Sequence, residues 1–403
     1  MSDYMPVEVI MEILQRLPVK SLVRCRSVCK SWNTLISHPS FISTHLQASL
    51  PNNTPFLLLG CNKRGRLEYS LHYDNDGFGK FKQLPLPPIG CVSNSKVVGS
   101  CNGVICVYLY PHDLYPRDHD ELRFVLWNPS IQKYISLPQL SFSEPADFNF
   151  GFGFDSRTND YRLLTVGVDI IYRLVQPYLF SLNENCWKRV NAFSTNYEFL
   201  PVPLHFVNGA VHWLGFRKRN NGAFSHAILG FDLSAEEFFE INLPESFSSL
   251  GPFDLSIMEY GKSFIAVTTH QIAVVFQELW VMKEYGVVES WTKVLTLHTG
   301  PRSWIPDVLG FRKNGEVLLH MGIAKMVALD LNSQQMEASL YLNSQQIVLL
   351  AVDVGADLLS VRSYVESLVL LDKVGNVYSE SDVNHPIDSS DYDESSGGES
   401  DLA

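Results

Sequence analysis

At 403 residues with 46% apolar and 18% charged residues, the chain can bury a sizeable core. Its formal net charge is −12, but eight Asp and Glu and no Lys or Arg follow from Tyr378 onward, and without those eight the body carries −4. That balance argues against general nucleic-acid binding, and no apolar run of about 18 residues marks a membrane span.

Seven cysteines at positions 25, 29, 61, 91, 101, 106 and 186 give neither an even disulfide framework nor paired Cys-x-x-Cys knuckles for zinc. The N-terminus MSDYMPVEVIMEIL carries acidic residues where a signal peptide is positive. These features predict a protein of a reducing compartment, cytoplasmic and/or nuclear.

The first predicted element begins at Pro6, a residue suited to the first helical turn. Val9, Ile10, Ile13, Leu14 and Leu17 then fall on one helical face until Pro18 stops it. A second helix is predicted from about Ser21, with Leu22, Cys25, Val28, Cys29, Trp32, Leu35 and Ile36 on one side. The basic Arg24, Arg26 and Lys30 lie largely between these positions. His38-Pro39 breaks that helix, and PSFISTHL predicts a short third. Three short helices over residues 1–47 carry more Leu, Ile, Val and Trp than so small a bundle can cover. The excess must pack against the rest of the chain or against a partner.

MPVEVIMEILQRLPVKSLVRCRSVCKSW closely resembles the F-box, the motif that ties substrate receptors to Skp-type adaptors of cullin–RING ubiquitin ligases. The match runs through Pro6, Glu8, Ile13-Leu14, Leu17-Pro18, Leu22, Arg24, Val28-Cys29-Lys30 and Trp32, with Met5 where the motif has Leu. The resemblance implies an adaptor-binding face made by Pro6, Glu8, Ile10, Ile13, Leu14, Leu17, Pro18, Leu22, Arg24, Val28, Cys29, Lys30 and Trp32. On that reading the basic stretch is a protein dock, with affinity in its apolar anchors and steering in its charged rim.

From Pro51 the pattern changes to short β-branched and aromatic runs between Gly, Asn, Asp and Pro. Segments of one form recur: DGFGKFKQLPLP, LWNPSIQKYISLP, FSLNENCWKRV, FDLSAEEFFEINLP, LWVMKEYGVVESWTKVLTL and ALDLNSQQMEASL. Their large residues Phe81, Tyr134, Trp187, Phe239, Trp291 and Met336 are spaced 53, 53, 52, 52 and 45 apart. Hairpin signals keep the same phase at Asn102-Gly103, Asn208-Gly209, Gly261 and Asn314-Gly315, with GFGFDSRTNDYRLLTVG in the remaining slot. Repeats of about 50 residues and a few strands each predict a β-propeller of about six blades over residues 50–377. Closure would join the early strand PFLLLG to a late one around QQIVLLAVDV or SLVLLDKVG. The fold is therefore expected to be mainly β with a small α N-terminal domain, and the acidic tail 378–403 to be disordered.

GSCNGVICV, LWNPS, GFGFDSRTNDYR, NGAVHWL and LGFDL resemble the F-box-associated domain of the large plant family of F-box receptors, often described as kelch-like. Residues 90–330 carry that resemblance; the double glycine of kelch blades proper is mostly single here. It implies a target-binding role for the propeller. Loops at its mouth are the expected site, with Tyr108, Tyr115, Arg117, Arg173, Tyr178, Arg217, Lys218 and Arg219 as candidates.

No Gly-x-Ser-x-Gly elbow, His-Glu-x-x-His pair or phosphate-binding loop is present. His112, Asp113, His119 and Asp120 read as a solvated loop rather than a metal site, and His212 as a satisfied strand histidine facing away from Val211 and Trp213. No catalytic residue, metal or cofactor is expected. The implied function is the substrate-recognition subunit of an SCF-type ligase, joined through the adaptor to a cullin and a RING subunit. A scaffold acting outside the ligase, or a propeller lectin or enzyme, are the alternatives.

Overall fold

The computed structural model describes residues 5–52, 56–63, 66–75, 77–87, 95–109, 122–140, 147–168, 176–191, 197–198, 204–220, 222–261, 263–269, 276–298, 307–320, 326–331, 337–339, 347–350 and 357–377. The acidic tail and Met336 lie outside them.

Four helices open the chain: α1 (Val7–Gln15), α2 (Val19–Cys25), α3 (Lys30–Ile36) and α4 (Pro39–Asn52). Pro6 and Pro18 occupy the N-cap positions of α1 and α2, where a missing N–H costs nothing. The single helix expected from Ser21 to Ile36 is two. Bonds from Ser27 N–H to the Arg24 carbonyl and from Val28 N–H to that of Cys25 tighten the end of α2. Cys29 is then fully extended (φ −161°, ψ 164°). Arg26 Nε donates to Asn33 Oδ1 across the break at 2.9 Å. The break is what folds the bundle: α3 touches both α2 and α4, which one straight rod could not. His45 on α4 hydrogen-bonds the Leu17 carbonyl at 3.0 Å and fixes α4 beneath the α1–α2 turn.

Six sheets follow among the described residues, each a blade whose first four strands are antiparallel. Blade one contains Phe56–Lys63, Arg66–Tyr73 and Lys80–Leu84; blade two Ser95–Cys101, Val104–Leu109, Arg123–Asn128 and Lys133–Ser136. Blade three contains Asp147–Asp155, Asp160–Val168, Tyr178–Ser181 and Cys186–Arg189; blade four His205–Val207, Ala210–Lys218, Phe224–Asp232 and Glu237–Asn242. Blade five contains Leu255–Tyr260, Phe264–Thr269, Phe276–Met282 and Trp291–His298; blade six Asp307–Phe311, Val317–His320, Met326–Leu329 and Ile347–Leu350. The first strand of blade one comes late in the chain, after blade six: Asp357–Tyr364 pairs with Phe56–Lys63, Tyr364 opposite Phe56. Each first strand touches the first strand of the next blade, and blade six touches blade one, so the ring closes.

Closure uses the expected early strand, but its partner lies between the two late segments named for it. Ile347–Leu350 is instead the outer strand of blade six, and residues 367–371 form turns beneath the helices. The late repeat is irregular for a visible reason. The chain leaves blade six after Leu329, adds Glu337–Ser339 in parallel to the outer strand of blade five, and only then returns.

Apolar cores lie between neighbouring blades. Along Phe56–Leu59, Phe56 and Leu58 pack towards blade two while Leu57 and Leu59 pack towards blade six. Both sheet faces are buried, so these strands read as continuous apolar runs rather than alternating ones. Phe81, Tyr134, Trp187, Phe239 and Trp291 all fall on the fourth strand of successive blades, counted from the axis. The Asn102-Gly103 and Asn208-Gly209 turns have positive φ at both residues and join first to second strands, the left-handed pair that two-residue hairpins require.

Candidate partner-binding surfaces

The thirteen N-terminal positions divide by burial. Leu14 and Leu22 are buried within the chain's own core, and Ile10, Leu17 and Trp32 are half-buried. Pro6, Glu8, Ile13, Pro18, Arg24, Val28, Cys29 and Lys30 are exposed. Met5, Val7, Val9, Ile13 and Val28 stand 41–65% exposed, an apolar surface spread over α1 and the α2–α3 turn. The apolar excess is thus split, one part covered by this chain and the other left to solvent. Beside it, the exposed Cys29 thiol is held below its ordinary pKa, first by its hydrogen bond with Ser31 and then by the Trp32 backbone.

What covers the buried part is the propeller. Leu14, Val19, Leu22, Ile36, Phe41 and Leu46 share one core with blades two and three and with Leu368–Leu371. The LWNPS segment holds that last stretch down. Asn128, fully buried, donates to the Ser367 and Val369 carbonyls (3.0 and 2.8 Å), and Ser130 Oγ meets the Tyr364 hydroxyl at 2.6 Å. Lys133 Nζ donates to the carbonyls of Leu371 and Lys373. Gly103 lies so close beneath that a Cβ there would stand 2.4 Å from Ser367 Oγ.

The GFGFDSRTNDYR segment builds an internal clasp. Buried Arg162 meets Asp155 at 3.2 Å and Asp160 at 3.5 Å, and reaches into blade four for the Leu233 carbonyl and Glu236, both at 2.7 Å. Asp155 also accepts from Thr158, Ser234 and the Arg157 N–H. A matching clasp joins blades six and one, where Arg312 Nε meets Asp74 at 3.0 Å and Nη2 the Asn75 carbonyl at 2.6 Å. His212 is buried, faces the blade-five side, and bonds Tyr285 Oη at 2.7 Å. Arg162, Asp155, Arg312, Asp74 and His212 are buried, and they hold blades together.

The loops proposed for target binding join second to third strands in blades two, three and four, so all leave the same end of the propeller. The helices sit at the other end, with the first-to-second turns and residues 367–371. Tyr108 is not on that loop surface: it is buried, its ring 4.6 Å from Phe150 and 5.3 Å from Phe124. Its position as the penultimate residue of an all-apolar strand was the signal for burial. Tyr115, Arg117 and Arg173 lie outside the described residues. Tyr178 is half-buried with Arg189 over its ring at 5.8 Å. Arg217, Lys218 and Arg219 are exposed, and Arg217 lies 5.0 Å above the Tyr197 ring. One exposed aromatic at this end escaped the sequence reading: Phe253, 70% exposed between blades four and five, whose only sequence signal is a Phe inside a Gly-Pro turn.

Among the described residues no three His, Cys, Asp or Glu are grouped to hold a metal ion, and Cys25, Cys29, Cys61, Cys101, Cys106 and Cys186 are free thiols. His112, Asp113, His119 and Asp120 lie outside the described residues.

A helical module with an uncovered apolar face, fixed to one end of a six-bladed propeller, defines a two-part adaptor-and-receptor architecture. Family comparison agrees with it. Residues 3–44 match the F-box domain and residues 70–371 the F-box associated beta propeller domain, and the chain belongs to that F-box-associated propeller family. Similar curated proteins include the F-box protein CPR1 of Arabidopsis thaliana, 28% identical with 82% of this chain and 83% of the relative covered. The F-box/kelch-repeat protein At3g23880 of the same plant is 25% identical over 73% and 79%. Among solved structures, a Trypanosoma rangeli sialidase aligns with TM-score 0.36 at 12% identity, covering 66% of this chain and 48% of that one. A Dos1 propeller aligns with TM-score 0.36 at 9% identity, covering 77% and 81%. Likeness at that level carries no functional argument.

Proposed function

We propose that this chain is the substrate-recognition subunit of an SCF-type cullin–RING ubiquitin ligase, working in the cytoplasm and/or the nucleus. Its helices bind a Skp-type adaptor, and through it the cullin and RING subunits. The propeller end bearing Arg217, Lys218, Arg219 and Phe253 receives the target protein. The chain contributes no catalytic group of its own. It raises the effective concentration of a target lysine near the charged conjugating enzyme, which is catalysis by proximity.

The observation that carries this reading is the uncovered apolar surface of Met5, Val7, Val9, Ile13 and Val28, on a module whose other side is already buried against the propeller. A partner that covers it must be apolar at its centre, and Arg24 and Lys30 at the edge would steer its approach. Co-expression with a plant Skp-type adaptor tests this. Wild type should co-purify with the adaptor, and Ile13→Asp with Val28→Asp should abolish the complex without lowering the melting temperature, since both side chains are exposed. A folded wild-type chain that captures no adaptor, or a double variant that still does, would overturn the reading.

A further inference from the structure

The propeller axis carries a charged cluster that neither the helices nor the outer loops use. The first strands face the axis, and those of blades four, five and one bring His205, Glu259 and Arg362 together. Arg362 Nη1 lies 3.2 Å from His205 Nδ1 and 3.7 Å from Glu259 Oε1, while His205 Nδ1 lies 3.8 Å from the same oxygen. Lys96, on the first strand of blade two, adds a second cation. Solvent reaches it, yet the channel wall and Arg362 both disfavour its charge and hold its pKa below the ordinary value.

The charges do not balance. Burial disfavours the charged form of His205, and among the described residues of this cluster two cations stand against one carboxylate. Glu259 does not complete Arg362 either. Both of its contacts exceed the roughly 2.7–3.2 Å of a hydrogen bond, so it attracts from the side without occupying the guanidinium fork. Among the described residues every protein contact of that guanidinium runs through Nη1, and the buried Nε has no hydrogen-bond partner. Nε is shut off by the surrounding protein, which leaves Nη2 as the donor that an incoming anion can reach. Because Arg362 can only donate, His205 Nδ1 accepts and the ring proton sits on Nε2, which adds a further neutral donor.

We propose that the axial channel is a carboxylate-binding site in which Nη2 of Arg362 takes a carboxylate oxygen, with Lys96 and His205 alongside. The carboxylate belongs to an acidic side chain of a bound polypeptide or to a free small organic acid. The site stands whether or not the chain loads onto a ligase.

Calorimetric titration of the full chain with an oligo-glutamate peptide and, separately, with citrate tests it. Wild type should bind at least one probe, more weakly as salt is raised. Binding of the peptide alone assigns the site to a polypeptide, binding of citrate alone to a small acid, and both outcomes support it. Arg362→Gln should weaken binding about tenfold or more, the worth of a hydrogen bond to a charged group. Arg362→Lys should restore it only in part, because the shorter ammonium side chain keeps the charge but does not place a donor where Nη2 lies. Arg362 lies on the closing strand, so Lys96→Gln, at a solvent-reached side chain, provides a variant whose folding is not at stake, and it too should weaken binding. No binding of either probe by wild type, or equal affinity in folded Lys96→Gln and Arg362→Gln chains, would overturn the proposal.

Discussion

At the scale of single residues, the buried polar groups of this protein are assigned to structure, and their titration should be visible. His212 is fully buried and burial pushes its pKa down from 6.5 to about 4. It is neutral in the native state, while the unfolded chain takes up a proton below 6.5. Its stabilising contribution is therefore complete above pH 6.5 and is lost as pH falls towards 4, amounting to about 3 kcal/mol at most. His45, His72, His205 and His226 are lowered too, chiefly by burial, so they add with the same sign. The melting temperature should fall steadily on acidification from neutrality, and His212→Gln should make that slope shallower while costing about 1–2 kcal/mol at neutral pH. A slope identical to wild type would remove His212 from the account. Below these, Asp155 and Glu236 extend the loss. Burial alone would raise both carboxyls, but Ser234, Thr158, the Arg157 N–H and Arg162 hold Asp155 down, and Lys188 and Arg162 hold Glu236 down. Their contribution is present above the unfolded values of 3.8 and 4.5 and disappears as pH drops through the lower native ones. Arg162→Ala, which strands Asp155 and Asp160 in the interior, should cost about 3–5 kcal/mol in chemical denaturation. Little of this was legible beforehand. GFGFDSRTNDYR was readable as a signature, but Arg162 finds Leu233 and Glu236 more than 70 residues away, and spacing along one strand does not reveal a partner on the next blade.

Elements were far more legible, because their causes are local. The hairpin conformation of the Asn-Gly turns and the two prolines that start helices act through their immediate neighbours. The misreading at Ser21–Ile36 has the opposite character: the apolar periodicity continues across Arg26–Cys29, and only the need to fold α3 back against both α2 and α4 breaks the helix. The two hairpin glycines separate local from tertiary cause. Gly103 and Gly209 have nearly equal backbones, φ 81° and 83°. Around Gly209 a Cβ would meet nothing within 4 Å, so Gly209→Ala should cost only the left-handed penalty of about 1–2 kcal/mol. At Gly103 the same methyl would strike Ser367 Oγ and the Val365 carbonyl, at 2.4 and 2.6 Å. Gly103→Ala should therefore be the more damaging by about 1–3 kcal/mol, the usual range for overpacking. Equal losses in denaturant would mean that residues 365–367 do not rest on this turn.

For the whole molecule, two markers in phase were enough to predict six blades, since a propeller repeats one local unit. Ring closure was only half legible: three apolar runs compete between residues 340 and 377, and the choice among them depends on which edge each can reach. Entirely hidden was the role of the stretch that follows the closing strand. Residues 365–371 follow the closing strand, turn at Leu370 with φ 73°, and lie between Asn128, Lys133 and the helices. The helices and the stretch after the closing strand are thereby tied into one core, and the adaptor-facing module is held at a fixed place on the propeller instead of swinging on a linker. For a ligase receptor that matters, because effective concentration falls when the tether between dock and target is loose. A chain ending at Tyr364 keeps the closing strand but loses this wedge, whereas one ending at Val377 keeps both. The shorter chain should retain a propeller melting transition yet lose hydrogen-exchange protection across α1–α4, since Leu14, Leu22 and Ile36 would face a cavity where Leu368–Leu371 had been. Equal protection of α1–α4 in the two chains would show that the helices hold their core unaided, and the fixed geometry would then have to come from blades two and three alone.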